Sequence, residues 1–161
     1  MSRERIAHLV HDGGSRYRTT TGTGRTVVFG DAPEANELSP VEMIVANLAA
    51  CSAMDVQSIA AKKRQAVERY EVTAVGLQRD EYPQVLTEVT VTHEVWGPAI
   101  SEAAIRRAIE LSATKYCPVN AMISAGATVV HHRYRIHADD DPIVEGEVIA
   151  TGPYRRADIV G

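Results

Sequence analysis

The sequence predicts an α+β fold, with antiparallel sheets packed around two long helices. Three observations carry that prediction. A helix start at Ser39-Pro40-Val41-Glu42 opens an apolar run that lasts to Ile59. A strict alternation over Val85–Trp96 follows a turn-forming Asp80-Glu81-Tyr82-Pro83. The remaining segments read as strands, helix, strands, helix, strand, in which helices and strands do not alternate as they would around a parallel sheet.

The elements follow in order. Ile6–Val10 reads as a strand closed by Asp12-Gly13-Gly14, where glycine supplies the positive φ that a tight turn needs. Arg16–Thr21 and Thr26–Phe29 are β-prone and flank Thr23-Gly24-Arg25, so they predict a hairpin. Asp31–Leu38 is a loop. Ser39 then stands as N-cap, Pro40 fits the first helical position, and Glu42, three residues after the cap, completes a capping box. From Met43 to Ile59 only Asn47, Ser52, Asp55, Gln57 and Ser58 are polar, so the helix is expected to be buried on nearly every side. Lys62, Lys63 and Arg64 end it, where cations suit the helix dipole.

Tyr70–Arg79 and Val85–Trp96 form the next hairpin. Val89, Val91, His93 and Val95 share one face of the second arm; Glu88, Thr90, Thr92 and Glu94 share the other. Ser101–Thr114 is the second long helix, with Ile105, Ala108, Ile109 and Leu111 inward. Cys117–Ser124 is a short helix with Cys117 as N-cap before Pro118. Thr128–His137 is the last strand, and the polar residues from Asp139 open a loosely attached tail. The expected organisation is one domain over residues 1–137 and a tail over 138–161, with no internal repeat.

Composition bounds the function. A chain of 161 residues can bury a real core. Its net charge of −4 and lack of a basic block argue against nucleic acid as a partner. The longest apolar stretch reads as too short and too Ala-rich for a bilayer, and the charged Met1–Arg5 start is unlike a leader, so a soluble cytoplasmic protein is expected. A helix as apolar as 43–59 is hard to hide in one small domain, which points to a homodimer.

Chemistry concentrates on two thiols, Cys51 and Cys117, the only cysteines present. A buried helix cysteine is commonly an inert small hydrophobe. Asn47, Cys51 and Asp55, however, are spaced by four and form one polar row along the helix. Such a row costs free energy unless it is hydrogen-bonded or faces a cleft. Asp55 disfavours a neighbouring thiolate, so Cys51 would need a nearby cation, for which Arg16, Arg18 and Arg25 are candidates. Cys117, at a helix N-terminus, is expected to have a lowered thiol pKa. His131, His132 and His137 read as surface strand histidines, with His131 and His132 on opposite faces, and no zinc-type spacing is present.

The segments Ser39-Pro40-Val41-Glu42-Met43, Leu48-Ala49-Ala50-Cys51-Ser52-Ala53-Met54-Asp55-Val56 and Lys115-Tyr116-Cys117-Pro118-Val119 resemble those of the OsmC/Ohr family, and its YhfA-like branch in particular. The resemblance covers residues from about 5 to 137. It implies an intertwined α+β homodimer acting as a thiol-dependent peroxidase without a cofactor or metal. The residue matching Cys51 would attack an organic hydroperoxide, the one matching Cys117 would close a disulfide, and a thiol or dithiol would reduce the pair. In the peroxidase branch a glutamate and an arginine hold the thiolate. Here the glutamate position is Val41, and Glu42 stands one place later, about 100° around the helix. Gly13-Gly14 is followed by Ser15, and Arg16 comes next. Cys51, Cys117, Arg16 and Glu42 are therefore the candidate catalytic residues. A protein that binds a small apolar or electrophilic ligand, or a thiol redox sensor, is the alternative that these offsets keep open.

Overall fold

The structure is a computed structural model that describes residues 3–32, 36–139 and 141–148. The chain forms two compact units, Met1–Ile44 and Val45–Gly161, divided inside the first helix. The α+β fold class predicted from sequence is the one observed.

The first unit is a three-stranded antiparallel sheet in the order β1-β2-β3, with β1 Ala7–Gly13, β2 Arg16–Thr21 and β3 Thr26–Phe29. The β1–β2 turn needs Gly13 and Gly14, whose φ angles are 104° and 56°; a side chain would be strained at either. After β3 the chain returns through Leu38, whose N–H donates to Val28 O at 3.1 Å. The predicted capping box is present: Ser39 N–H donates to Glu42 Oε2 at 2.8 Å, and Glu42 N–H donates to Ser39 Oγ at 3.1 Å. It starts α1, Pro40–Lys62.

The second unit is built on a four-stranded sheet in the order β4-β5-β6-β7: β4 Arg69–Gln78, β5 Leu86–Trp96, β6 Val129–His137 and β7 Val144–Val148. The pairing differs from the expected antiparallel sheet at one place. β5 and β6 run parallel, from Glu88 opposite Val129 to Trp96 opposite His137. A parallel pair needs a long crossover. Here it consists of α2 Glu102–Leu111, a π-helical turn Ser112–Tyr116 and α3 Pro118–Ser124. α2 is thus shorter than expected, because the backbone widens into the π turn at Ser112.

The apolar face predicted for β5 is buried at Val89, Val91, His93 and Val95. Ile105, Ala108 and Ile109 of α2 pack on Val95, Tyr134 and Ile136 of the sheet, with Val56 and Ala60 of α1 and Val148 of β7 completing the core. Leu111, expected inward, is only half-buried. The expectation of a loose tail fails at Val144–Val148, which pairs antiparallel with β6. Gly146 makes that pairing possible, because a Cβ there would lie 2.2 Å from the Tyr134 hydroxyl. The rest of the expected tail from 149 onward lies outside the described residues.

In the single chain, α1 buries only the stripe Leu48, Ser52, Val56 and Ala60. Its most apolar window has a mean hydropathy of 1.4, so by length and composition it could cross a bilayer, contrary to the sequence expectation. Val56 and Ala60 of its buried stripe are instead packed into the core described above.

Candidate functional site

The crossover and α1 bring the two thiols together. Cys51 sits mid-helix on α1 beside the buried Ser52 and is itself half-buried. Cys117 lies where the π turn ends: its N–H donates to Ser112 O, five residues back, at 2.9 Å. Pro118 then starts α3, and Cys117 caps it, its Sγ accepting the Asn120 N–H at 3.3 Å. π turns concentrate at functional sites because they swing one residue out of helical register. Both cysteines are free thiols, and the Cys117 S–H donates to Cys51 Sγ at 2.8 Å. The sulfurs of a disulfide are about 2.05 Å apart, so the contact has to close by less than about 1 Å.

Asp55, one turn after Cys51, is the third member. Its carboxylate lies within 4.8 Å of both sulfurs, and the buried Ser112 hydroxyl donates to Asp55 Oδ2 at 3.1 Å. Asn47, the other member of the predicted polar row, is exposed. Partial burial raises the Asp55 pKa, and the Ser112 hydroxyl opposes that rise. The expected low pKa of Cys117 is overturned. Its capping geometry is present, but burial dominates and pushes the thiol up to about 12; the contact with Cys51 and the Asp55 charge add to burial, and the Asn120 N–H opposes them. A helix of two turns offers too little field to offset the desolvation of a sulfur that is 2% exposed.

Behind Cys117 lies a buried polar chain that sequence reading missed. Asn120 Nδ2 donates to Ala113 O at 2.8 Å. A carbonyl only accepts, so the amide oxygen must face the other way, where it accepts from His132 Nε2 at 3.0 Å. His132 Nδ1 is then the acceptor for His93 Nε2–H at 3.5 Å, a proton shared with Ser52 Oγ at 3.4 Å. His93 Nδ1 in turn accepts from the Tyr70 hydroxyl at 2.7 Å. Every link therefore donates in one direction, and both histidines are neutral. Burial lowers His93 to about 3 and His132 to about 4, with the adjacent His132 and His131 rings adding to the respective shifts. His132 is thus a core residue and not the expected surface histidine. His131 does point the other way, to Glu147 at 2.7 Å. The available signal was parity: His132 shares its face of β6 with Tyr134 and Ile136, both buried.

Arg16 and Glu42 belong to the first unit and are engaged locally there. Arg16 pairs with Glu37 at 2.6 Å, a carboxylate that sequence reading passed over and whose side chain is 4% exposed. Arg18 pairs with Asp12, and Arg25 is exposed. Glu42 is held in its capping box, and the Ser39 N–H and hydroxyl lower its pKa. In the second unit, Asp55 also lines an open cleft of about 330 Å³ with Ile59, Lys62, Lys63, Leu111 and Tyr116.

The chain matches the family model described as OsmC-like protein over residues 33–132. It is 39% identical to Protein YhfA of Escherichia coli strain K12 over 93 residues, which are 58% of this chain and 69% of that protein. Among solved structures, a hypothetical protein from Aquifex aeolicus VF5 superposes with a TM-score of 0.75 at 23% identity, covering 86% of this chain and 100% of that one. An organic hydroperoxide resistance protein OsmC from Legionella pneumophila superposes with a TM-score of 0.58 at 17% identity, covering 84% and 98%. At those identities the two structures speak for the fold alone. The chain belongs to the OsmC-like protein family.

Proposed function

We propose that this protein is a thiol-dependent peroxidase that reduces organic hydroperoxides with Cys51 and Cys117. The observation that carries the reading is the 2.8 Å contact between two free thiols from distant parts of the chain. Cys51, the more accessible sulfur, attacks as the thiolate. It takes the outer peroxide oxygen to become a sulfenic acid, and the alkoxide leaves and is protonated to the alcohol. Cys117 keeps its proton until then, because burial raises its pKa to about 12. Its sulfur displaces the sulfenic hydroxyl, and the disulfide and one water result. A dithiol, or two thiols, then gives two electrons and two protons to restore the pair. The cycle uses no cofactor. The cytoplasm, which keeps thiols reduced between turnovers, suits it.

The name of the Legionella relative supports the substrate class by analogy. Exposed apolar side chains on α1, Ile44 and Met54 among them, support the homodimer. Arg16 and Glu42 complete the proposed catalytic set on their motifs, although Glu37 and Ser39 now engage them. Their engagement favours the second reading, a ligand-binding protein or redox sensor.

One assay separates these readings: cumene hydroperoxide consumption with a dithiol, in wild type and in Cys51→Ser, Cys117→Ser, Arg16→Ala and Glu42→Ala. The peroxidase reading expects no turnover in Cys51→Ser, no Cys51–Cys117 disulfide and, with the dithiol left out, one stoichiometric oxidation in Cys117→Ser, and losses on the order of 100-fold in the other two. Equal consumption by wild type and Cys51→Ser rejects Cys51 as the nucleophile.

A further inference from the structure

The geometry points to a redox-gated site for a soft divalent cation, zinc or cadmium, held by Cys51 Sγ, Cys117 Sγ and the Asp55 carboxylate. Two thiolates and one carboxylate are a donor set that suits these ions and excludes magnesium and calcium. With metal–sulfur bonds of about 2.3 Å, tetrahedral donors stand roughly 3.8 Å apart. The three donor atoms here bracket that spacing. The sulfurs are 2.8 Å apart, and no two of the three donors are more than 4.8 Å apart. Reaching that spacing requires the sulfurs to part by about 1 Å.

The surroundings hold the donors in the way metal ligands are held. The Ser112 hydroxyl fixes Asp55 through Oδ2, and the Asn120 N–H fixes Cys117 Sγ. Asp55 also lines the open cleft that carries Lys62 and Lys63. Three negative donors around a dication leave one net negative charge. Binding releases the two thiol protons to solvent, one from each sulfur, and forms two metal–sulfur bonds and one metal–oxygen bond. Oxidation of the thiols to the disulfide removes two electrons and two protons and leaves a single carboxylate, which cannot hold the ion. The site therefore exists only in the reduced protein. This inference does not depend on peroxide turnover: either property can be present without the other.

The test uses the full chain, reduced with a phosphine and desalted without oxygen. Cadmium chloride is titrated while the sulfur-to-cadmium charge-transfer absorbance is followed, and zinc chloride is measured by equilibrium dialysis. One ion per chain is expected, with the band lost in Cys51→Ser and in Cys117→Ser. Affinity is expected to fall at least tenfold in Asp55→Asn, whose shape is conserved and whose fold is checked by circular dichroism. Oxidation by diamide, which takes up the two electrons and two protons, is expected to abolish binding, and re-reduction to restore it. Unchanged affinity in Asp55→Asn, binding retained in either serine variant, binding to the oxidised protein, or less than one ion per chain overturns the proposal.

Discussion

His93 Nε2 faces His132 Nδ1 at 3.5 Å in the core, with their rings stacked 5.8 Å apart, and both are neutral. Two imidazoles in that contact cannot both be protonated without burying adjacent cations. Their pKa values are lowered to about 3 and about 4, so the unfolded chain binds protons that the folded chain refuses. The sign follows: the stability from neutral burial is complete above the ordinary histidine value of about 6.5 and is lost as pH falls toward 4 and then 3. Across the window from pH 6.5 to 4.5 the lowered carboxylates Glu42 and Glu147 stay ionised, while Asp55, whose pKa burial raises, acts in the opposite sense to the histidines. Urea unfolding between pH 7.5 and 4.5 is expected to show a loss on the order of a few kcal/mol. The slope should be shallower in His93→Phe, and a flat wild-type profile rejects the account.

Asn120 is the joint between this core chain and the cysteine. Its side chain ties Ala113 of the π turn to His132 of β6. Asn120→Ala leaves the Ala113 carbonyl and the His132 Nε2–H buried and unpaired, at a cost of about 1–3 kcal/mol. The same change frees the turn that carries Cys117. Disulfide closure after one equivalent of oxidant is then expected to slow about tenfold or more, while the first oxidation of Cys51 keeps its rate. Dimedone trapping separates the two, since a slower closure lets the sulfenic acid accumulate. Unchanged closure in a folded Asn120→Ala protein shows that the joint does not position the thiol.

The parts legible in sequence were those set by local chemistry. Ser39, Pro40 and Glu42 fixed the start of α1, Pro118 fixed Cys117 as a cap, and alternation fixed the buried face of β5. What depended on tertiary partners was not legible. The pKa of Cys117 follows burial, which its capping position does not reveal. β7 reads Val-Glu-Gly-Glu-Val and is a strand only because β6 offers an edge and Gly146 admits the Tyr134 ring. The π turn over Ser112–Tyr116 carries no composition signal, yet it supplies both the Ser112 hydroxyl and the Cys117 position. Parity along β6 placed His131 and His132 on opposite faces, but nothing local said that Asn120 would be waiting for one of them.

The difference in burial between the thiols predicts ordered labelling. Cys117 is 2% exposed and protonated well above neutrality, whereas Cys51 is half-buried. Iodoacetamide reacts with thiolates, so at pH 8 it is expected to modify Cys51 first and to leave Cys117 largely intact in the folded protein. Peptide mass spectrometry at partial labelling reads the order directly. Labelling of Cys117 ahead of Cys51 would mean that the buried sulfur is the reactive one and would reverse the proposed roles.

Met54 tests the proposed dimer. It is 74% exposed on α1, which also exposes Ile44 at 43%. A large apolar side chain so placed stabilises nothing within one chain, and its burial against a second copy would contribute about 1.5–3 kcal/mol. Met54→Lys puts a charge where that contact would form while leaving the buried stripe of Leu48, Ser52, Val56 and Ala60 untouched. Size-exclusion chromatography with light scattering is expected to find wild type as a dimer and Met54→Lys shifted toward monomer, with a dissociation constant raised at least tenfold. Loss of the dimer should also lower thermal stability, because the apolar surface that the second copy covered is then left in water. A wild-type monomer, or a Met54→Lys dimer of unchanged affinity, removes this face of α1 from any subunit interface.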